Sequence, residues 1–269
     1  MAKSPGGTIP PAVPNAPAIP EVRPLGLADI RACLLMGMTD FARAPRYGLF
    51  FGGIFAAIGM IIVLALTRWD MSWMIYPFAI GFPLIGPFAA AGLYEVSRRL
   101  ETGMPLSWNV VLSAVWAQRR RELSWMAFTM LFFFWMWMYQ VRLLIALFLG
   151  RMSFATLDKF VTVVLTTPQG WLFLAVGHVV GAALALILFS ITVISMPLLM
   201  DREYDFITAM ITSVKTVIAS PVAMLGWGLV VTLAVIAACV PFFLGLLVVL
   251  PVLGHATWHL YRRAVRLPD

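Results

Sequence analysis

The stretch PVAMLGWGLVVTLAVIAACVPFFLGLLVVLPVLGHATWHLY, residues 221–261, decides the fold of this chain. It contains no Asp, Glu, Lys or Arg, and it is far longer than the about 20 apolar residues that a membrane-spanning helix needs. Pro241 lies in its middle, where a proline removes a backbone donor and its ring clashes with the preceding turn. The sequence therefore predicts two spanning helices, 222–240 and 241–261, joined by a tight turn at Pro241.

Outward from this stretch, four more apolar runs of similar length lie at 47–66, 72–94, 123–149 and 171–198. Hydrophobic residues make up 62% of the chain and charged residues 12%, and the mean hydropathy is +0.93. Soluble proteins average about 45–50% apolar and about 25% charged residues, so this inventory does not build a water-soluble surface. We predict an all-α membrane protein with six transmembrane helices, numbered spans 1 to 6 in chain order.

The lysines and arginines predict the orientation of these spans. The chain has 19 of them against 12 acidic residues, and they stand at the ends of the apolar runs, which favours a topological role over nucleic-acid binding. One side of the membrane holds both termini together with Lys3, Arg23, Arg31, Arg43, Arg46, Arg98, Arg99, Arg119, Arg120, Arg121, Arg202, Lys215, Arg262, Arg263 and Arg266. The other side holds Arg68, Arg151 and Lys159. Cytoplasmic loops carry the excess of Lys and Arg, so we predict both termini in the cytoplasm.

The two ends of the chain differ from its apolar middle. Residues 1–24 contain seven prolines and no sustained apolar period, which predicts a disordered or polyproline-like tail, with a PxxP ligand as the alternative. We divide the chain into this tail, a membrane domain over 25–265 and a short end at 266–269. No apolar segment of the kind found in a cleavable signal peptide is present near the start.

An internal repeat is visible ahead of the outgoing spans. Two segments each begin with Asp, have a small residue eight positions later and a proline eight positions after that, namely Asp29, Gly37 and Pro45, and Asp205, Ser213 and Pro221. A weaker copy covers 106–121. The returning spans share a proline or a Pro-x-x-Gly pattern, at Pro83 and Gly86, at Pro251 and Gly254, and at Pro197. We predict three repeats, each an interfacial amphipathic helix plus a transmembrane hairpin whose returning span is kinked.

Arg142 is the one basic residue inside a predicted span. An ionisable group in hydrocarbon is expensive and is by default a functional candidate. Arg142 lies about 28 Å along span 3 from Leu123, at 1.5 Å per residue. That depth is near the outer interface, where Arg either snorkels to water or serves as counter-ion for a substrate or for Asp158.

Three charged residues at the inner ends of spans are further candidates. Glu95 precedes Arg98 and Arg99, and the spacing predicts an i, i+3 or i, i+4 ion pair, with a polar contact inside the bundle as the alternative. Asp201 and Arg202 begin a charged cluster at the foot of span 4. This cluster is either a solvated turn or a docking surface.

The three histidines complete the list of candidates. His255 and His259 share one face of span 6 at i, i+4, a spacing that suits one metal ion if further ligands exist. His178 fits poorly as a third ligand because its predicted depth differs by about 10 Å at helical rise. The alternative is hydrogen bonding between helices, so we predict no bound metal or other cofactor.

No motif in the sequence marks a catalytic site. A nucleophile elbow, a Walker loop, HExxH and paired CxxC are all lacking, so no catalytic residue is assigned and no enzymatic activity is expected. Span 3 carries the aromatic run 132–139. Its bulky side chains surround the helix and face either lipid or a protein partner.

Several stretches together resemble a known family. They are 40–53, which reads DFARAPRYGLFFGG, 81–99, which reads GFPLIGPFAAAGLYEVSRR, and 195–202, 209–213 and 253–262. The chain is similar over about 25–265 to the bacterial integral-membrane family called domain of unknown function 2189 (DUF2189). The resemblance implies a bacterial inner-membrane protein, and some members carry the label of cytochrome c oxidase subunits.

The sequence leaves two main functions open. The first is a non-catalytic scaffold, or an accessory or assembly factor, with a respiratory oxidase as a candidate partner and the lipid bilayer as its surroundings. The second is a small transporter or lipid-handling protein, which the repeats, the kinked spans and Arg142 favour. A metal or haem protein using His255 and His259 is a third hypothesis.

Overall fold

The computed structural model describes residues 20–68, 75–118, 122–150 and 157–266, without the side chains of 66, 75–84, 118, 157 and 158. Its helices are α1 (Leu27–Arg43), α2 (Pro45–Thr67), α3 (Ile75–Thr102), α4 (Trp108–Gln118), α5 (Leu123–Leu144), α6 (Leu157–Thr166), α7 (Pro168–Thr192), α8 (Ser195–Asp201), α9 (Phe206–Ala219), α10 (Pro221–Cys239) and α11 (Leu246–Ala264). One π-helical turn, Ile145–Leu149, extends α5. Two short strands, β1 (Glu21–Val22) and β2 (Val265–Arg266), flank the helices.

Local sequence explains where several of these helices begin. Pro45, Pro168 and Pro221 each occupy the first turn of a helix, where the missing backbone donor costs nothing and the fixed φ suits the helix. The side chain of Asp205 accepts a hydrogen bond from the amide of Thr208 at 2.8 Å and caps α9. The three prolines thus separate each of these helices from the one before it by a single residue.

Among the described residues, four helical segments are long and apolar enough to cross a membrane, namely Pro45–Ala65, Leu123–Leu149, Pro168–Asp201 and Pro221–Cys239. They correspond to predicted spans 1, 3, 4 and 5. The described parts of α3 and α11 are not long and apolar enough to be counted with these four segments. Their second halves carry Glu95, Arg98 and Arg99, and His255, His259 and two arginines, so hydropathy falls along each helix. An integral membrane protein with several apolar helices is confirmed, and the count of six remains a prediction.

The two ends of the membrane domain meet. β1 pairs antiparallel with β2, so that Glu21 lies opposite Arg266 and Val22 opposite Val265. The amide of Arg23 also donates to the carbonyl of Ala264 at 2.8 Å. The start of α1 and the end of α11 therefore lie on one side of the helices, which we call the terminal side.

Each short amphipathic helix packs against a returning helix of the preceding predicted repeat. α1 contacts α11, α4 contacts α3, and α9 contacts α7 and α8. Each predicted repeat therefore contacts the next one, and the first repeat contacts the last, because α1 packs against α11. The short helices belong to the packed structure, and most buried residues of α1 and α9, among them Cys33, Gly37, Ala209 and Ser213, are small or polar.

The turns and breaks of the long helices follow the prolines. The chain reverses after Cys239, and Phe242 and Phe243 adopt positive φ values of 51° and 65° before α11 begins at Leu246. The predicted span 241–261 therefore begins as a turn. The helix pair α7 and α8 is interrupted at Val193 and Ile194, just before the proline that cannot donate to the carbonyl four residues back.

Candidate functional site

A buried cluster of polar side chains joins three helices. It consists of Asp40 on α1, Ser97 on α3, and His255 and His259 on α11, all buried. The Ser97 hydroxyl lies 2.8 Å from Asp40 Oδ2 and 2.8 Å from His255 Nδ1. His259 Nε2 lies 2.7 Å from the same Asp40 oxygen. The four residues form one continuous chain of hydrogen bonds, which we call the Asp40 cluster.

The donors in this chain follow from the protons available. Ser97 has a single hydroxyl proton, which it donates to Asp40, so His255 Nδ1–H donates to the Ser97 oxygen. His255 Nε2 then carries a lone pair, and it is buried without a hydrogen-bond partner among the described residues. His259 donates its Nε2–H to Asp40. One carboxylate oxygen thus accepts from two helices other than its own.

The electrostatics of Asp40 result from two opposing causes. Burial raises the pKa of this carboxyl group, but the hydrogen bonds from His259 and Ser97, together with the electrostatic attraction of His259 and His255, outweigh burial and hold the pKa below its ordinary value. Asp40 is therefore a carboxylate at neutral pH. A buried carboxylate held in this way stabilises the contact of α1 with α3 and α11.

Close helix packing positions the cluster. A Cβ atom at Gly37 would lie 2.6 Å from the carbonyl oxygen of Val252 and 2.7 Å from the amide nitrogen of Ala256. Glycine thus lets α1 touch the backbone of α11 just ahead of His255. This close approach places Asp40, one turn beyond Gly37, within hydrogen-bond distance of the imidazole of His259.

A small pocket of about 200 Å³ lies beside the cluster. Its lining combines carboxylates, a guanidinium and an imidazole with uncharged side chains, namely Met36, Thr39, Asp40, Arg43, Leu100, Glu101 and His259. The Asp40–His259 end of the cluster therefore borders open space, whereas Ser97 and His255 are fully enclosed.

Ion pairs surround the cluster on the terminal side. Glu95 is buried and accepts from Arg98 Nε at 2.8 Å and from Arg99 Nε at 2.6 Å, which are the i, i+3 and i, i+4 pairs that the spacing predicts. These bonds neutralise the buried carboxylate. The functional alternative for Glu95 stays a prediction.

Two further acids tie α3 and α8 to α11. Glu101 accepts from the indole of Trp258 at 3.0 Å and from Arg262 Nε at 3.2 Å. The Tyr261 hydroxyl donates to Asp201 at 2.8 Å. Asp201 therefore lies against α11, while its neighbour Arg202 is exposed beyond the end of α8.

A large apolar cavity of about 980 Å³ lies between the long helices. Side chains of α2, α3, α5, α7, α8, α10 and α11 line it, among them Phe51, Ala90, Leu93, Phe133, Trp137, Ala185, Met196, Trp227 and Leu253. Tyr94, Thr192 and Thr257 add hydroxyl groups, and no charged side chain lines the cavity within the described parts of the chain.

The remaining sequence candidates lie outside both sites. His178 is exposed on α7, and its Nδ1 lies 2.7 Å from the carbonyl oxygen of Leu174 in its own helix. Arg142 is exposed near the end of α5 and does not line the cavity, and the side chain of Asp158 is not among those described. Over the described residues, no group of three metal-ligating side chains is arranged to hold an ion.

The predicted repeat positions have different surroundings. Gly86 and Gly254 both line the cavity, and Pro251 lies inside α11. Pro197 is in the first turn of α8, and Ser213 is buried on α9. Pro83 falls among the residues without described side chains. The functional importance of these positions stays a prediction.

Sequence reasoning missed Asp40 and Ser97 as members of a site. One signal was available, because Cys33, Gly37 and Asp40 follow at i, i+4 and i+7 and place a carboxylate on the small-residue face of a helix. A charge on such a face indicates burial against a partner. Ser97 gave no comparable signal, since its role depends on a helix distant in sequence.

The comparisons with known proteins concern the centre of the chain. Residues 75–201 match the model of a family described as predicted integral membrane protein (DUF2189). The match confirms the family resemblance, over a narrower range than the motifs suggested. Searches of the curated proteins and of the solved structures gave no match.

Proposed function

We propose that this chain, whose residues 75–201 match the model of a family described as predicted integral membrane protein (DUF2189), is a lipid-handling protein that takes an acyl chain into its central cavity. The cavity carries the proposal. Its volume, about 980 Å³, lies at the upper end of the about 300–1,000 Å³ typical of ligand pockets. Its lining is apolar and aromatic, as hydrocarbon requires.

The distribution of charge favours an apolar ligand over an ionic one. A charged solute would leave water for a cavity whose described lining offers no counter-ion, and an unpaired ion in such surroundings costs many kcal/mol. None of the four side chains of the polar Asp40 cluster lines the cavity. A lipid would leave its headgroup outside and place only its chain among these side chains.

Cross-linking to a photoactivatable fatty acid tests this proposal. Ala185 and Ala182 are both exposed on α7, and of the two only Ala185 lines the cavity. Ala185→Trp fills the cavity, and Ala182→Trp adds the same bulk outside it. We expect cross-links to cavity peptides, such as those of Phe133 and Trp227, to fall about tenfold in Ala185→Trp and to persist in Ala182→Trp.

Two results would overturn the lipid-handling proposal. One is a wild-type protein whose cross-links map only to exposed side chains. The other is an equal loss of cavity cross-links in Ala182→Trp, because bulk outside the cavity leaves its volume unchanged. Size-exclusion profiles of both variants check that each retains its fold.

A second candidate function, the scaffold or accessory factor, rests on the outer face of α5. Trp125, Phe128, Phe132, Trp135 and Tyr139 are each between 55% and 66% exposed. They alternate at spacings of three and four, the heptad pattern with which one helix packs against another. The proposed occupant of this stripe is a transmembrane helix of a second membrane protein, with a respiratory oxidase subunit as the candidate to test.

Purification in mild detergent tests the scaffold function. We expect oxidase subunits and haem absorbance to co-elute with the wild type, and to be lost from Phe132→Ala/Trp135→Ala but not from the control Trp171→Ala on α7. A wild-type protein that elutes without other subunits and without haem absorbance would contradict the proposal of an oxidase partner. Recovery of the partner from both variants alike would show that the α5 stripe is not its docking site.

The membrane arrangement is part of the proposal. We infer six spans in three repeats, with α3 and α11 completing hairpins begun by α2 and α10, and both termini in the cytoplasm of a bacterial inner membrane. The pairing of β1 with β2 supports an even number of crossings between them. The excess of Arg near the terminal side supports the orientation. We assign the protein no enzymatic activity.

A further inference from the structure

The short helix α9 has its polarity reversed relative to a helix on the surface of a soluble protein. Its buried face carries Ala209, Thr212, Ser213 and Thr216, each fully buried, together with Val217. Its outer face carries Ile207, Ile211 and Ile218, which are 55%, 48% and 72% exposed. A surface helix in water buries its large apolar residues and exposes its hydroxyls. This arrangement indicates an apolar environment outside α9.

The helix α1 repeats the reversal. Cys33, Gly37 and Asp40 are buried together with Ile30, whereas Leu27, Leu35 and Met38 are 61%, 55% and 57% exposed. The exposed residues lie at i, i+8 and i+11 and so share one stripe of the helix. Two separate parts of the chain thus present large aliphatic side chains outward on the terminal side.

Each stripe contains one cation. Arg31 lies midway between Leu27 and Leu35, and Lys215 lies between Ile211 and Ile218, both with exposed side chains. The nearby acid Asp29 is already bound to Arg263 Nη1 at 2.8 Å. Long basic side chains in such a stripe extend their charge toward phosphate groups while their methylenes stay among apolar neighbours.

The stripes are continuous with membrane spans. A single residue, Ala44, separates α1 from α2, and Ser220 alone separates α9 from α10. A link of one residue holds the end of each short helix beside the start of its span, and packing on α11 for α1 and on α7 and α8 for α9 keeps the rest of each helix against the bundle. The surface nearest to both stripes is therefore the boundary between acyl chains and headgroups on the terminal side.

We infer that α1 and α9 are in-plane anchors that bind anionic phospholipid. Their aliphatic stripes are immersed in the outer part of the acyl layer, and Arg31 and Lys215 hold lipid phosphates. The inference rests on the proposed membrane arrangement and is independent of what occupies the central cavity.

The depth of the stripes is measured with spin labels on the full-length chain. Cysteines are introduced as Leu35→Cys, Ile211→Cys or the control Thr102→Cys, an exposed residue at the terminal end of α3, in a background of Cys33→Ala and Cys239→Ala. In vesicles of equal parts phosphatidylglycerol and phosphatidylcholine, we expect labels at 35 and 211 to collide more with oxygen than with a water-soluble nickel complex. The label at 102 should show the reverse.

Two outcomes of this measurement overturn the inference. Labels at 35 and 211 that behave like the label at 102 would place the stripes in water. Labels shielded from both oxygen and nickel would mean that protein, such as a second copy of this chain, covers the stripes.

Retention of lipid tests the role of the cations. We compare Arg31→Gln/Lys215→Gln with Arg68→Gln, an exposed arginine at the far end of α2, by native mass spectrometry from the same vesicles. The double variant should lose its preference for phosphatidylglycerol by about threefold or more, and Arg68→Gln should keep it. An unchanged preference overturns the inference. Ala185→Trp should leave this preference intact, so a failed cavity proposal is recognised separately.

Discussion

The contacts that hold α1 and α9 in place differ in chemistry although the two helices occupy corresponding positions. Cys33, Gly37 and Asp40 are buried on α1, and Ala209, Ser213 and Thr216 at the matching positions of α9. α1 meets α11 through backbone contact at Gly37 and through the Asp40 carboxylate. α9 meets the break between α7 and α8, where the Ser213 hydroxyl accepts from the amide of Ile194 at 3.1 Å.

The difference teaches that one sequence pattern serves two kinds of packing. A small residue eight positions before the proline allows close approach in both helices. In α1 the partner is an unbroken stretch of helix, so glycine and a buried carboxylate make the contact. In α9 the partner has an open amide at a helix break, so a hydroxyl satisfies it. The predictions that follow test this contrast from its largest consequence to its smallest.

Asp40→Ala should have the largest effect. It leaves the Ser97 hydroxyl and His259 Nε2–H without their acceptor, and the free energy of unfolding should fall by about 3–5 kcal/mol. Thermal unfolding in detergent should show a drop of roughly 10 °C. The control is Thr216→Val at the matching position of α9, where the hydroxyl bonds only within its own helix. An equal loss of unfolding free energy in both variants would mean that the buried carboxylate of α1 and the hydroxyl of α9 contribute alike, against the contrast drawn here.

Gly37→Ala comes next. The added Cβ would clash with backbone atoms of α11 that cannot move aside as a side chain does, so we expect a loss of about 1–3 kcal/mol. Gly86→Ala is the matched control, since a Cβ there meets nothing within 4 Å. Circular dichroism melts compare the two. A stability of Gly37→Ala at or above that of the control would contradict the close approach of α1 and α11.

Ser213→Ala tests the hydroxyl contact of α9. Removing the acceptor leaves the buried amide of Ile194 unsatisfied, and we expect a loss of about 1 kcal/mol. Hydrogen exchange should speed up at Ile194 and leave the amides of α11 unchanged. Ser213→Thr, which keeps a hydroxyl, serves as the control. Unchanged exchange at Ile194 in Ser213→Ala would show that another group satisfies this amide.

Protonation of Asp40 in acid should weaken the contact of α1 with α3 and α11. Of the four changes considered, we expect it to lower the stability least. The pKa of this carboxyl group is lowered in the folded protein, so its stabilisation is present above the unfolded value of about 3.9 and is lost as the pH falls through the folded value. Melts between pH 6 and about 3 should show a steeper decline for the wild type than for Asp40→Asn. Parallel declines would assign the acid sensitivity to other carboxylates, such as Asp29 and Asp205.

The sequence predicted the apolar helices well and their surroundings poorly. The apolar segments that contain α2 and α7 have nearly equal hydropathy, 2.4 and 2.5, yet 39% of the residues are buried in the 18-residue apolar window of the first segment and 0% in that of the second. Lipid and protein interiors are equally apolar, so composition does not distinguish a helix that faces lipid from one that faces another helix. The aromatic run on α5 shows the same limit, because Phe132 and Trp135 point outward while Phe133 and Trp137 line the cavity.

The histidines illustrate what periodicity leaves open. Their i, i+4 spacing predicted that His255 and His259 share a face, and both do face Asp40 and Ser97. Neither of those partners was named from the sequence, because Asp40 stands more than 200 positions before His259. Hydrogen-bond partners that are distant in sequence produce no periodic pattern of residues from which their contact could be predicted. The contact of each short helix with a returning helix was likewise beyond the sequence pattern.

By itself the sequence determined that this chain is a helical membrane protein, where most of its helices begin, and which small residues and prolines recur. Those features depend on local physics: apolar length, the missing donor of proline and the period of the helix. The tertiary structure alone decided that Asp40 bonds to Ser97 and His259, that the long helices line a large apolar cavity, and that α1 and α9 turn their aliphatic faces outward. Each of these outcomes depends on which helices pack together, and in a uniformly apolar chain packing is set by shape and a few buried polar groups.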